Sequence, residues 1–288
     1  MNRYLPQLSD AGLPPTEPVT AYDEYSAPRE LHIADERALT LYLDRHEIVT
    51  LMTLGTAPEK LVLGYLRNQG LVQALEDIVS IQVDWDVAAA AVVTRKSIPD
   101  LEARLSKRTV TTGCGQGTVF GNLLEELANI RLPVLSLKQS TIYGLLKNLN
   151  AYNDVYKSAG AVHGCALCED TAILSFIEDV GRHNAVDAIA GQMWLEDIDG
   201  AGKIFYTTGR LTSEMVIKVG QMGVSVLLSR SGITAMGLRL AREMGVTLLA
   251  RAKGQHFLVY NGMEHIVFDD PPAAKTGERP AKRQHTRQ

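Results

Sequence analysis

Cysteine is scarce in this sequence, with three residues in 288: Cys114, Cys165 and Cys168. A disulfide framework needs a denser set of cysteines, so a disulfide-stabilised secreted domain is excluded. In a reducing compartment these residues are interpreted as thiols, metal ligands or nucleophiles.

Long apolar runs are also missing. No segment reaches the roughly 18 apolar residues of a membrane helix, and MNRYLPQLSDAGLPP at the N-terminus has no apolar signal core. We therefore expect a cytoplasmic protein with no membrane partner. The net charge of -4 argues against nucleic acid as a partner.

Both ends lack apolar periodicity, and residues 1–30 and 270–288 are polar and interrupted by proline. We expect disordered tails at both ends, the C-terminal one basic. Between them, residues 31–110 predict a smaller N-terminal subdomain, and residues 111–269 predict a C-terminal α/β core.

The N-terminal subdomain is predicted to contain a β-hairpin. Its strands are ALTLYL (38–43) and EIVTLM (47–52), and Pro58 then begins an amphipathic helix. Residues 79–94 predict further strand.

In the C-terminal core, β-rich segments alternate with segments of helical length. The β-rich segments span 171–178, 203–208, 224–229 and 246–251. This alternation predicts a mixed, largely parallel sheet with helices on its faces. Ligands of such sheets bind at the carboxyl ends of the strands.

Four successive strand ends in this core are followed by cationic and small residues. In order along the chain, the ends carry Asp179, Gly181, Arg182 and His183, then Gly209 and Arg210, then Arg230 and Ser231, and finally Arg251, Lys253, Gly254 and His256. Guanidinium groups beside helix N-termini are typical of a site for a polyanion such as a nucleotide. For His183 the sequence leaves two interpretations, a general base or a hydrogen-bonded structural residue.

Cys114 lies between glycines in TTGCGQG (111–117). Glycine permits close approach of a ligand, and a nearby helix N-terminus would favour the thiolate, so Cys114 is a candidate nucleophile. A buried, inert thiol is the alternative.

The other two cysteines lie in HGCALC (163–168). His163, Cys165 and Cys168 have a spacing that zinc accepts, but the set is incomplete, and Cys165 occupies the position of the glutamate of a zinc deaminase. Packing of both thiols in the core is the alternative, and we expect no permanent metal.

Six segments combine into a specific pattern: TTGCGQG (111–117), SAGAVHGCAL (158–167), EDVGRHNAVD (178–187), TTGRLTSEM (207–215), LLSRSGITA (227–235) and LARAKGQHFLVYNG (249–262). With them the chain resembles the FdhD family, sulfur-carrier proteins required for formate dehydrogenase activity. The resemblance runs over residues 33–262.

The resemblance implies a three-layer α/β/α core similar to cytidine deaminases, in a homodimer that binds guanine nucleotide. It implies a sulfurtransferase that accepts sulfane sulfur from a cysteine desulfurase as a persulfide on Cys114. The acceptor is the molybdenum bis-guanine-dinucleotide cofactor, bound as a substrate before it enters formate dehydrogenase. The cofactor-binding segment of the family falls on Arg251, Ala252, Lys253, Gly254, Gln255 and His256.

The sequence departs from the family at one position of the cysteine loop. The loop of the family commonly reads C-x-x-C, and Gly117 replaces the second cysteine here. We expect carriage of sulfur by Cys114 alone, with an external reductant or with Cys165 or Cys168 as a substitute. A chaperone that binds the cofactor without moving sulfur, and a metal-dependent hydrolase, are the alternatives.

Overall fold

The computed structural model describes residues 4–96, 98, 101, 109–110, 117–118, 130 and 132–272. Cys114 lies outside the described residues. The predicted C-terminal tail lies outside them beyond residue 272.

The N-terminal subdomain is built on a five-stranded sheet covered by α1 (Pro58–Asn68). Leu39, Leu41 and Leu43 alternate along one strand and are fully buried under this helix, because alternate side chains of a strand share a face. The predicted hairpin and helix are confirmed. In order across the sheet, the strands are β1 (Gln7–Leu8), β6 (Ile78–Asp84), β7 (Ala89–Thr94), β4 (Arg37–Leu43) and β5 (His46–Thr53).

The prediction of a disordered tail over residues 1–30 is wrong for residues 4–30. β1 pairs with β6, and β2 (Thr16–Tyr22) forms an exposed hairpin with β3 (Pro28–Ala34). Trp85 Nε1 donates to the carbonyl of Ala11 over 2.7 Å. Backbone pairing and side-chain anchors order this segment, and neither requires the apolar periodicity on which the prediction relied.

The C-terminal core contains a six-stranded mixed sheet. Strands β13 (Ile204–Thr207), β14 (Val226–Ser229) and β15 (Thr247–Lys253) are parallel, and β11 (His163–Glu169) is antiparallel to both β12 (Ala172–Asp179) and β13. β12 therefore runs in the same direction as β13 to β15, which confirms the mixed, largely parallel sheet. The sequence analysis did not predict β11 as a strand. In order, the strands are β12 (Ala172–Asp179), β11 (His163–Glu169), β13 (Ile204–Thr207), β14 (Val226–Ser229), β15 (Thr247–Lys253) and β16 (His256–Asn261).

Helices cover both faces of this sheet and make three layers. One face packs against α2 (Gln139–Leu149). The other packs against α4 (Arg182–Glu196), α5 (Ser213–Gln221) and α6 (Ala235–Met244). The smaller elements are α3 (Asp154–Ala159), β8 (Thr109–Val110), β9 (Gly117–Thr118), β10 (Leu137–Lys138) and β17 (Ile266–Val267).

Helix α4 joins the two halves of the molecule. Ala188 belongs to the core of the N-terminal subdomain, whereas Ile189 and Met193 belong to the core under the six-stranded sheet. Glycine lets α4 approach α1 closely: a Cβ on Gly64 would lie 1.7 Å from the carbonyl oxygen of Asp187, and one on Gly191 would lie 2.0 Å from that of Lys60. The two backbones are therefore in direct contact.

Among the described residues, no helix combines the length and apolar character needed to cross a membrane.

Replacement of Gly64 by alanine is expected to destabilise the protein by more than about 3 kcal/mol, because the methyl group overlaps helix backbone and α1 must move away from α4. Urea unfolding followed by circular dichroism measures the loss. Gly232→Ala is the matched control, since a Cβ there has no neighbour within 4 Å. Equal stability of the two variants would contradict the close crossing.

Candidate functional site

The loops after β12, β13, β14 and β15 lie next to one another at one edge of the sheet, here called the rim. Backbone hydrogen bonds link them: Arg230 N donates to Thr207 O over 3.2 Å, and Arg251 N donates to Ser231 O over 2.9 Å. The strand directions and these bonds bring together the start of α4 with Arg182, the loops with Arg210 and Arg230, and the end of β15 with Arg251, as the sequence predicts.

Arg182 and His183 begin α4 and are both buried, with exposed fractions of 7% and 2%. Gly209 makes room for this arginine, because a Cβ at position 209 would lie 2.6 Å from Arg182 Cδ. The role of Gly209 is therefore steric.

Asp179 fixes the loop that precedes α4. Its buried carboxylate accepts hydrogen bonds from Thr53 Oγ1, Leu54 N, Gly181 N and Asn184 Nδ2. Strand β5 of the N-terminal subdomain is thereby tied to the start of α4. The side chain of Asp179 at the rim thus connects the N-terminal subdomain to the start of α4.

Two cavities open at the rim. The first, of about 430 Å³, lies between β5 and the start of α4 and is lined by Met52, Arg182 and His183 among others. The second, of about 340 Å³, is lined by Arg230 and Ser231 among others. His163 lines both.

The sequence analysis did not predict that residues of β5 line the first cavity. It also missed Thr208 in the second cavity, and it treated His163 only as a metal ligand. Thr208 directly adjoins Gly209 in the sequence, and this adjacency was the available signal.

The segment 251–256 forms the end of β15 and its turn into β16. Arg251 has a φ of 53°, a left-handed conformation rare for arginine, and its side chain is exposed. Ala252 is fully buried in the core beneath α2. Its side chain therefore faces away from any ligand, whereas Lys253, Gly254, Gln255 and His256 are exposed. This segment lines neither of the two cavities at the rim.

Both histidines of the site are held in the neutral form. Burial, reinforced by Arg182 and Arg210, lowers the pKa of His163. Burial, reinforced by Lys218 and Arg182, lowers the pKa of His183 to about 2. The site therefore combines permanent cations with neutral imidazoles.

Cys165 and Cys168 do not share a site. Both are fully buried, Cys165 in the core beneath α4 to α6 and Cys168 in the core beneath α2. A bulge at Leu167 and Cys168 interrupts the pairing with β12. The described residues contain no group of three or more histidine, cysteine or acidic side chains placed to hold a metal ion. The zinc interpretation of HGCALC is therefore wrong.

Neither buried thiol suits sulfur chemistry. Burial raises the pKa of Cys165 to about 12 and that of Cys168 to about 12. The thiolate is the reactive form, so these thiols are inert at neutral pH. A substitute role for them in the cysteine loop is not supported.

The loop with Cys114 lies outside the described residues, but its flanks are described. Thr109 pairs with Thr118 and Val110 pairs with Gly117, antiparallel. Gly117, which replaces the second cysteine of the family, is thus a backbone partner in a short ladder.

A sequence model of the FdhD/NarQ family matches residues 34–267. The chain belongs to the FdhD/NarQ family. The resemblance expected from the six sequence segments is confirmed. Similarity to cytidine deaminases is implied by the family and stays a prediction.

Several relatives share most of their length with this chain. A protein named sulfur carrier protein FdhD from Listeria monocytogenes serotype 4b is 30% identical over 242 residues, 83% of this chain and 92% of that protein. Another of that name, from Bacillus pumilus, is 28% identical over 236 residues, 82% of this chain and 90% of that protein. A crystal structure from Desulfotalea psychrophila, described as a formate dehydrogenase accessory protein, has a TM-score of 0.69 at 26% identity. It covers 88% of this chain and 98% of its own.

The depressed pKa of His183 predicts a loss of stability in acid. Below pH 6.5 the unfolded chain binds a proton at this residue and the folded chain does not, down to a pH of about 2. Above pH 6.5 neither state binds this proton, and the free energy of unfolding has its full value. It falls by about 1.4 kcal/mol per pH unit below that value.

Urea unfolding at several pH values between 7 and about 5 measures this slope, and His183→Gln should reduce it by about one proton. His32→Gln, on the exposed β3, is the control and should keep the wild-type slope. An unchanged slope in His183→Gln would show that His183 is not buried in its neutral form.

Proposed function

We propose that this protein is a sulfur carrier for formate dehydrogenase. It takes sulfane sulfur from a cysteine desulfurase as a persulfide on Cys114 and passes it to the molybdenum bis-guanine-dinucleotide cofactor, its substrate. The observation that carries the proposal is the rim of arginines around two cavities, in a chain that belongs to the FdhD/NarQ family. The proposal includes a cytoplasmic homodimer.

The rim suits this substrate in charge. The cofactor contains two pyrophosphates, and guanidinium groups bind phosphate oxygens through paired, charge-assisted hydrogen bonds. Arg210 and Arg230 are exposed in adjacent loops, Arg251 is exposed at the end of β15, and Arg182 is buried beside the first cavity. Guanine nucleotide is the simplest probe of this surface.

The chemistry requires one thiolate. The thiolate of Cys114 attacks the outer sulfur of the donor persulfide, a new S–S bond forms on Cys114, and the donor thiolate leaves. Release of that sulfur as sulfide needs two electrons. Gly117 supplies no second thiol, and Cys165 and Cys168 are buried, so an external thiol serves as the reductant.

Persulfide labelling after incubation with a cysteine desulfurase and cysteine tests the carrier role. Cys114→Ala should lose essentially all label, because no other reactive thiol is present. The variant with both Cys165→Ala and Cys168→Ala is the matched control and should keep the wild-type label. Full labelling of Cys114→Ala would reject Cys114 as the carrier.

Nucleotide binding tests the rim independently of sulfur. The double variant Arg210→Gln with Arg230→Gln should bind guanosine diphosphate at least about tenfold more weakly, because two charge-assisted contacts are lost. Arg239→Gln, an exposed arginine on α6, is the control and should bind normally. Calorimetry measures both, and equal affinities would show that phosphate does not bind at the rim.

Gly117 favours a second candidate, a chaperone that binds the cofactor without moving sulfur. This role predicts that Cys114→Ala still restores formate oxidation to a strain lacking its own carrier, while loss of charge at Arg251 and Lys253 does not. The carrier role predicts failure of both variants.

A further inference from the structure

Buried polar side chains form a continuous series from α1 to the first cavity. Asn68 Nδ2 donates to Asp187 Oδ1 over 2.7 Å, and Lys218 Nζ donates to Asp187 Oδ2 over 2.7 Å. Lys218 Nζ lies 4.0 Å from Glu214 Oε1, and Glu214 Oε2 lies 3.4 Å from His183 Nε2. The series ends at His183, a residue that lines the cavity.

Stability does not explain this arrangement well. Asp187 and Lys218 have exposed fractions of 0% and 2%, and Glu214 has 7%. A buried ion pair seldom stabilises a fold more than well-packed apolar residues of the same volume would. Buried charges that lead to a cavity indicate a role in its chemistry.

The ring nitrogens of His183 are buried beside this cavity. Neither of its ring nitrogens has a partner at full hydrogen-bond geometry among the described residues. The distance from Nε2 to Glu214 is long for a hydrogen bond, and such contacts often shorten when a ligand binds. A neutral imidazole carries one donor nitrogen and one acceptor nitrogen.

We propose that Glu214 is a positioning residue for His183. Its carboxylate holds the proton of His183 on Nε2, and Nδ1 is left to accept a hydrogen bond from an N–H or O–H group of the ligand in the cavity. Lys218, held by Asp187, fixes Glu214 in turn and balances its charge. The ligand identity, though not the tautomer, rests on the proposed function.

This assignment gives the site a feature that the arginines lack. Guanidinium groups only donate hydrogen bonds, so they bind the acceptor oxygens of a phosphate. A buried acceptor beside them matches a ligand that also presents a donor, and a ligand without one would leave Nδ1 unsatisfied at a cost in affinity. The charged and titratable groups that face His183 are Arg182, His163, Arg210, Lys218 and Glu214.

Long-range ¹H–¹⁵N spectra of histidine-labelled protein test the tautomer directly, because the chain has only seven histidines and His183→Gln assigns the signal. Wild type and Glu214→Gln, whose amide oxygen still accepts, should show His183 protonated on Nε2. Glu214→Ala should lose that preference. It should also bind guanosine diphosphate about tenfold more weakly, while Glu214→Gln stays within about threefold of wild type.

Asn68→Ala is the matched control, since it removes the distant end of the same series without touching Glu214 or His183. It should lower the urea midpoint but keep the tautomer and the affinity. An imidazolium or an Nδ1-protonated ring in wild type would overturn the proposal, even if Glu214→Ala fails to fold. So would a Glu214→Ala variant with wild-type tautomer and affinity, or an Asn68→Ala variant with the same losses as Glu214→Ala. If wild type binds no nucleotide, the proposed function fails, while the tautomer still decides the role of Glu214.

Discussion

The contact between α1 and α4 is the constraint on which the rest of the structure depends. Two helices whose backbones touch cannot slide or rotate independently, because the glycines at the crossing leave no space for adjustment. Helix α4 is buried against both cores, and its first residues are Arg182 and His183. The same crossing brings Asn68 of α1 to Asp187 of α4. The position of the functional groups is thus inherited from a packing contact one to two turns away.

The second determinant is the contrast between charge and neutrality at the rim. Arginine keeps its charge in almost any surroundings, whereas burial and neighbouring cations lower the pKa of both His163 and His183. The cations of the rim therefore help to keep the imidazoles neutral and available as hydrogen-bonding groups. Strong positive potential and a hydrogen-bond acceptor coexist because the acceptor is buried.

Much of the rim could be predicted from the sequence. The strand-to-loop pattern placed Arg182, Arg210, Arg230 and Arg251 at one edge, because strand direction alone determines which ends meet. The charged residues inside the protein could not be predicted in the same way. Lys218 and Glu214 look like the solvated face of an amphipathic helix, and only the packing of α5 against α4 shows that they are buried. Strand β11 was missed because glycine and cysteine interrupt a run that has no alternation. The hairpin of β2 and β3 was missed because its side chains are mostly exposed.

The antiparallel strands of the six-stranded sheet affect which residues lie at the rim. A strand that runs against its neighbours brings its first residue, not its last, to the edge where theirs end. Both antiparallel strands flanking the parallel centre begin with histidine, His163 in β11 and His256 in β16, paired with Asp179 and Lys253 at the ends of their neighbours. Residues that leave the sheet thus supply the guanidinium groups and His183, and residues that enter it supply two further imidazoles.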